Sequence, residues 1–555
     1  MSLGGSRKRL ARWVVPIAAL ALAGTACFPD TSAPGGDNTG DGGQEQDAGP
    51  PQPGGIYRYS LPSDAQSLDP HKQSSYNTHV AIGASYSKLV DFKTGPDTPY
   101  GSYELEGDLA EDWSVSEDGG EWTFNLRKGV KFHNVAPVNG REFTARDVLC
   151  TTERIRQLPG HQVNLLSMVE DIEAPDDHTV VFRLTQPYAD FATNMANHFM
   201  WMLPCEGTEG KFDLGTQAIG TGPFVLERWE RNRERVLTAH PEYYERGKPY
   251  LDGIHVAIVP DPQASMAAMR TGKLDYLTSL SFDEKQAETL LSQQPDFQLR
   301  SELGLNPIRV YMNQAAEPFD DVRVRRAVAL AIDRAAMVES LRPGGQASGP
   351  VTPSLFGGLP SEEVERLQPY DPEQARRLLA EAGYPDGFRT EMILTNGYGE
   401  TVVREAQWVQ QDLAKVGIDV SLDVQDYATY FTESFAKQRY QLGFGLQTPM
   451  LSADEYLSTE WHSEGSRNWY GIDDPELDRM IAEQRGILDE AARERKLADI
   501  QRYIINEVSN PVTLNLYETQ VIYAPYVHGS YPHPEYGGRH LADVWLGPEA
   551  PGRQS

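Results

Sequence analysis

The chain holds many side chains that could do chemistry, 80 aspartates and glutamates, 12 histidines and three cysteines, but their spacing assembles no reacting group. A serine nucleophile would sit on a Gly-x-Ser-x-Gly turn, a zinc hydrolase on a His-Glu-x-x-His helix, and a nucleotide enzyme on a glycine-rich phosphate loop; none of these strings occurs. His528 and His533 are five residues apart across Tyr531 and Pro532, which is not the spacing of a helical ligand pair, and no other ligand cluster accompanies them. His133 falls inside a structural block, and Arg323, Arg325 and Arg326 read as the charged face of a helix rather than a phosphate cradle. Abundant carboxylates are ordinary in so acidic a chain. The expectation is no catalytic residue, no metal and no cofactor. An exported hydrolase is the competing class, distinguished by turnover of a peptide or ester.

The net charge of -30, from 50 basic against 80 acidic residues, leaves no basic face past residue 13 and excludes a nucleic-acid binder. At 555 residues the chain exceeds one hydrophobic core, so two or three domains are expected. Residues 1–27 read as an export signal: Arg7, Lys8, Arg9 and Arg12, then an apolar run from Trp13 to Ala23 too short for a membrane span. Gly24, Thr25 and Ala26 before Cys27 resemble a lipoprotein cleavage site that would leave Cys27 lipidated; Gly24 stands where leucine is usual, so ordinary signal cleavage is the alternative. Residues 28–55 are Pro, Gly, Asp and Gln with hardly any apolar side chains, the composition of a disordered tether. Once exported, Cys150 and Cys205 are left in an oxidising compartment. A disulfide between them is the favoured reading, with two separate buried thiols as the alternative.

The elements that must position a site follow in order. Residues 54–61 alternate apolar and polar and predict a first strand; Leu68 plugs the core and a helix runs from about Tyr76 to Leu89. Two strands around an Asp-Gly turn, Trp113 to Val115 and Trp122 to Leu126, precede a helix starting near Thr144, and Val169 to Leu184 suggests a hairpin turning at Asp176 and Asp177. Gly220 and Gly222 supply freedom for a tight turn, followed by a strand through Trp229 and a second from Ile254 to Val259. Asp320 or Asp321 caps an amphipathic helix with Val324, Val328 and Ile332 on one face. Glu391 to Thr395, Val402 to Val416 and Ile418 to Val424 then read as strand, helix, strand, the pattern of a parallel sheet.

Taken together, Gly220-Thr221-Gly222-Pro223-Phe224, Trp229, Tyr243-Tyr244 and the run Gly247 to Ile254 (Gly-Lys-Pro-Tyr-Leu-Asp-Gly-Ile) resemble the segment of family 5 extracytoplasmic solute-binding proteins of ABC importers, the oligopeptide, dipeptide and nickel binders. The resemblance extends over about residues 56–545. It implies an α/β, two-lobed periplasmic-binding-protein-like fold (type II), with lobe I from 56–90, 210–313 and 516–545, an inserted domain at 91–209, and lobe II at 314–515. Carried over by position, it implies a ligand-binding cleft walled by Ser75, Tyr76, Asn313, Leu446, Gln447, Thr448 and Trp469. Peptide binders of the family carry an aspartate three residues after a tryptophan; here those positions hold Leu446 and Pro449, so the ammonium anchor is missing unless Asp454 or a shifted register supplies it. The implied function is a monomeric binding lipoprotein on the outer face of the cytoplasmic membrane. It would pass a peptide or peptide-like solute to a permease and ATPase. A membrane-tethered receptor for a signal peptide, or a binder of a sugar or nickel complex, is the alternative.

Overall fold

The strand Ile56–Leu61 sends Tyr57, Tyr59 and Leu61 to one face, while Ser60 faces the other and meets Ser265 Oγ (3.0 Å) on the helix Pro262–Arg270. In the computed structural model, which describes residues 49–553 except 74, 75, 159, 160, 279, 280, 283, 305, 399, 428, 448, 449, 517 and 536, this strand is the centre of a seven-stranded sheet. The signal segment, Cys27 and the tether up to residue 48 lie outside the described residues. The sheet order is Gln298–Leu303, Glu518–Tyr523, Tyr276–Leu277, Ile56–Leu61, Gly253–Ile258, Glu234–Ala239 and Phe224–Glu230. Ile56–Leu61 runs parallel to both of its neighbours.

Gly220 and Gly222 have a different purpose from the tight turn expected of them. Neither has a positive φ. The backbone of Ala84 and Ser85 lies against them instead: Gly222 N–H donates to Ser85 O (3.0 Å), Phe224 N–H to Ala84 O (3.0 Å), and a Cβ at Gly220 would fall 2.1 Å from Ser85 O. The same pairing shortens the preceding helix. It spans Tyr76–Ile82 rather than reaching Leu89, because Ala84 and Ser85 give their carbonyls to Phe224 and Gly222 and cannot continue helical bonding.

A second sheet of five strands has the order Ile418–Gln425, Phe388–Thr395, Leu442–Leu446, Ile308–Met312 and Val512–Asn515. Phe388–Thr395 and Ile418–Gln425 pair in parallel through the crossover helix Glu400–Lys415, whose Val402, Ala406, Val409 and Leu413 are buried in the sheet's core. Asp321 caps the helix Val322–Ala331 by accepting from Arg323 N–H, and Val324, Val328 and Ile332 are all buried. Arg325 on this helix is buried and donates to the carbonyls of Phe319, Asp320 and Val508, which accounts for it without a phosphate.

A third sheet, antiparallel, has the order Ala110–Val115, Glu121–Leu126, Thr179–Leu184 and Val169–Asp176, and has its own core around Phe124, Phe182 and Phe191. A disulfide joins Cys150 on the helix Ala145–Gln157 to Cys205 on the short helix Cys205–Thr208. His133 is buried between Gly220 and Gly222 as a structural group.

The chain passes between the seven- and five-stranded sheets twice, side by side. Gln298–Leu303 leads through residues 304–307 to Ile308–Met312, and Val512–Asn515 leads to Glu518–Tyr523. The first members of these pairs adjoin the second in each sheet, so both crossings sit at one edge. Away from that edge, Arg493 on the helix Glu490–Tyr503 forms a two-pronged ion pair with Asp190 (2.5 Å for each bond), both nearly buried, tying the third sheet's body to the body of the five-stranded sheet.

Candidate ligand-binding site

A cavity of about 650 Å³ lies where the crossings meet the face of the seven-stranded sheet that carries Tyr57 and Tyr59. Tyr276 and Tyr523 continue that wall, with Tyr59 and Tyr276 edge to face at 5.9 Å and Tyr276 and Tyr523 tilted at 4.9 Å. Gly304 and Asn306 of the first crossing and Thr519 just after the second also line it, and Tyr398 reaches in from the five-stranded side. The segment 530–541 completes the enclosure with His533, Glu535 and His540.

The charges at this rim are managed by burial and pairing. Glu535 Oε2 accepts from the buried Lys88 ammonium (2.9 Å), which also meets Asp91 (2.8 Å) and Ala196 O (2.5 Å). Burial raises the Glu535 carboxyl above its usual range, with Lys88 opposing. Burial lowers His533 and His540 to about 4 each, so both are neutral at pH 7; His533 Nε2 lies 2.9 Å from Ser102 O, and His540 Nδ1 3.1 Å from Gly537 O. The site is thus a tyrosine-rich recess with neutral imidazoles and a lysine-compensated glutamate. It has stacking surfaces and hydrogen-bonding phenols, and among the described residues no nucleophile held by a base.

The positions predicted from sequence fall into separate groups. Ser75 and Thr448 lie outside the described residues, and of Tyr76 only the backbone, the first residue of its helix, is described. Leu446 and Gln447 end the strand beside the cavity: Leu446 pairs with Ile308, Gln447 N–H donates to Pro307 O (2.9 Å), and the cavity residue Asn306 donates to Gln447 O (3.2 Å). Asn313 and Trp469 come together elsewhere, at the far end of the same strand pair. Asn313 Nδ2 donates to the carbonyls of Gln438 and Tyr440, and Tyr440 OH donates to Trp469 O (2.9 Å). Asp454, the alternative ammonium anchor, is buried and accepts from Gln484 Nε2 and Arg485 Nε (2.8 Å), so its charge is already paired.

The cavity tyrosines were missed. Tyr57 and Tyr59 were legible as one face of the first strand, and only the sheet order brings Tyr276 and Tyr523 beside them.

A type II two-lobed α/β fold with a cleft at a double crossing defines an extracytoplasmic solute-binding protein. Residues 104–468 match the family described as bacterial extracellular solute-binding proteins, family 5 Middle, and the chain belongs to that family. It is 29% identical over 463 residues to heme-binding protein A of Haemophilus influenzae, covering 78% of this chain and 82% of that one. It is 33% identical over 383 residues to di/tripeptide-binding protein 2 of Pseudomonas aeruginosa, covering 64% and 69%. Among solved structures, the ABC transporter-associated periplasmic binding protein DppA of Helicobacter pylori in complex with the peptide STSA superposes with a TM-score of 0.73 at 26% identity, over 89% of this chain and 99% of that chain. HbpA2 from Haemophilus parasuis gives 0.74 at 25%, over 88% and 99%.

Proposed function

We propose that the protein is the substrate-binding lipoprotein of an ABC import system, capturing a small peptide or peptide-like solute between its lobes and delivering it to the permease. The observation that carries this reading is the 650 Å³ tyrosine-walled cavity set against both crossings, within the roughly 300–1,000 Å³ usual for small-solute clefts. In this reading lobe I takes 56–90, 210–313 and 516–545, the inserted domain 91–209 and lobe II 314–515. Gln447 forms part of the lobe II wall through its contact with Asn306, while Asn313 and Trp469 hold Tyr440 behind it. The tether between Cys27 and residue 55 lets the protein reorient over its permease. A peptide relative and a peptide-loaded structural neighbour support the solute class.

The test is native mass spectrometry of protein purified from its own host without refolding. Co-purified di- to pentapeptides are the expected cargo; a sugar or a tetrapyrrole in their place overturns the peptide reading.

A further inference from the structure

The segment 529–541 has a cavity on each side. Ser530 and Pro532 line the tyrosine-walled cavity described above, while Gly529 and Tyr531 line a second one of about 590 Å³, the alternation of an extended chain. Among the described residues His540 alone borders both. The other walls of the second cavity carry Glu106, Lys248, Tyr250, Arg539, Asp543 and Trp545. Its volume falls within the roughly 300–1,000 Å³ usual for small-molecule sites, and the proposed import of a solute makes no use of it.

The charged groups of this cavity are paired with one another and keep hydrogen-bonding capacity to spare. Arg539 donates from Nε to Glu245 Oε1 (2.9 Å) and from Nη1 to Glu106 Oε1 (2.7 Å), and its Nη2 has no acceptor among the described residues. Lys248 Nζ reaches Glu245 Oε2 (2.9 Å) and Asp543 Oδ1 (2.6 Å), which uses two of the three N–H groups of an ammonium. Glu106 Oε2 and Asp543 Oδ2 accept nothing from the described residues, and their side chains are 35% and 43% exposed. An anion here would face the carboxylates of Glu106, Glu245 and Asp543 against only Arg539 and Lys248. A cation would compete with Arg539 and Lys248 for carboxylates they already hold. A neutral hydroxyl does neither: it donates to an open carboxylate oxygen and accepts from a spare N–H with every ion pair left in place. Tyr250, Tyr531 and Trp545 add flat faces of the kind that suit a ligand with one apolar and one wet side.

We propose that this second cavity binds a neutral polyhydroxylated ligand, one or two sugar rings, at the same time as the solute occupies the tyrosine-walled cavity. Hydroxyls of the ligand bridge the spare N–H groups of Arg539 and Lys248 and the open oxygens of Glu106 and Asp543, and the C–H face of a ring lies on Tyr250 or Tyr531. A free saccharide and the amino-sugar strand of a cell wall share this chemistry.

The experiment is isothermal titration calorimetry of the full chain, freed of cargo, with glucose, cellobiose and diacetylchitobiose as probes. At least one should bind, at one site per chain. Cellobiose above diacetylchitobiose identifies a free sugar and the reverse order a wall glycan, and either supports the proposal. Asp543→Asn and Tyr250→Ala should each weaken that sugar at least tenfold and still retain di- and tripeptides as wild type does, since neither residue borders the tyrosine-walled cavity. Tyr398→Ala, in that other cavity, should bind the sugar as wild type does. Wild type already loaded with a retained peptide should also bind it, a readout that depends on no variant folding. Binding of no probe by wild type overturns the proposal, as does undiminished sugar affinity in both Asp543→Asn and Tyr250→Ala. Mutual exclusion of sugar and peptide, or loss of the sugar in Tyr398→Ala, places the sugar in the solute cavity and overturns it too.

Discussion

His133 is fully buried, with Gly220 N–H donating to Nδ1 and Nε2 therefore carrying the proton toward Gly222 O. Burial first, and the neighbouring His240 second, lower its pKa to about 3. A histidine kept neutral by folding binds fewer protons than the unfolded chain between its folded value and about 6.5, so stability falls as pH falls through that window. Its share of the loss is about 2 kcal/mol at pH 5 relative to pH 7.5. His133→Gln should thus lower Tm at pH 7.5, and the gap from wild type should narrow at pH 5; scanning calorimetry at both values checks it. The residue scale is also where sequence reading succeeds and fails for stated reasons. His133 reads correctly as structural because it sits in a block whose neighbours all pack. Asp454 is spent on Arg485, a partner 31 residues away, and Tyr276 and Tyr523 reach the cavity because the sheet order lines their strands up with Ile56–Leu61. No local pattern carries either fact.

At the scale of elements, periodicity gave the strands and the crossover helix closely: the expected strand 418–424 is Ile418–Gln425, and the expected helix 402–416 is Glu400–Lys415. The helix after the first strand was drawn too long because its end is set by the chain at 222–224, more than a hundred residues later. That contact makes its own prediction. Gly220→Ala would place a Cβ 2.1 Å from Ser85 O, and since that oxygen is backbone and cannot swing aside, relief requires parting the two segments. The loss should be about 1–3 kcal/mol or more, read as a fall in the urea midpoint at unchanged slope. The ion pair between Asp190 and Arg493 is a second such contact, made between two bodies instead of within one. Removing one partner leaves the other charge buried, at a cost of about 3–5 kcal/mol where the bodies stay together. The bodies can part and rehydrate the charge instead. Arg493→Ala should accordingly enlarge the radius of gyration of the unliganded protein and weaken solute binding, with little change in the melting of either core; an unchanged radius with lowered Tm would show that the pair serves packing alone.

For the whole molecule, the two crossings, after Leu303 and after Asn515, are in the proposed reading the connections about which one lobe turns against the other. Such a hinge has a function only if something outside the lobes distinguishes its two positions, which in the proposed reading is a permease met at the membrane surface. Cys27→Ser, which removes the proposed anchor, should move the protein from the membrane fraction to the soluble exported fraction while leaving peptide retention untouched. Closure requires more than tethering, because a solute shifts the open–closed balance only by its difference in affinity for the two forms. The cavity has that asymmetry: Tyr57, Tyr59, Tyr276 and Tyr523 come from the seven-stranded side, while Tyr398 and the neighbourhood of Gln447 come from the five-stranded side, so a solute touches both walls only when they are close. A di- or tripeptide retained by the wild type should therefore reduce the radius of gyration in small-angle scattering of the tether-deleted protein, and Tyr398→Ala should abolish the compaction while leaving weak binding to the opposite wall. Compaction that survives Tyr398→Ala at full affinity, or tight binding with no compaction in the wild type, would place the solute outside this cavity.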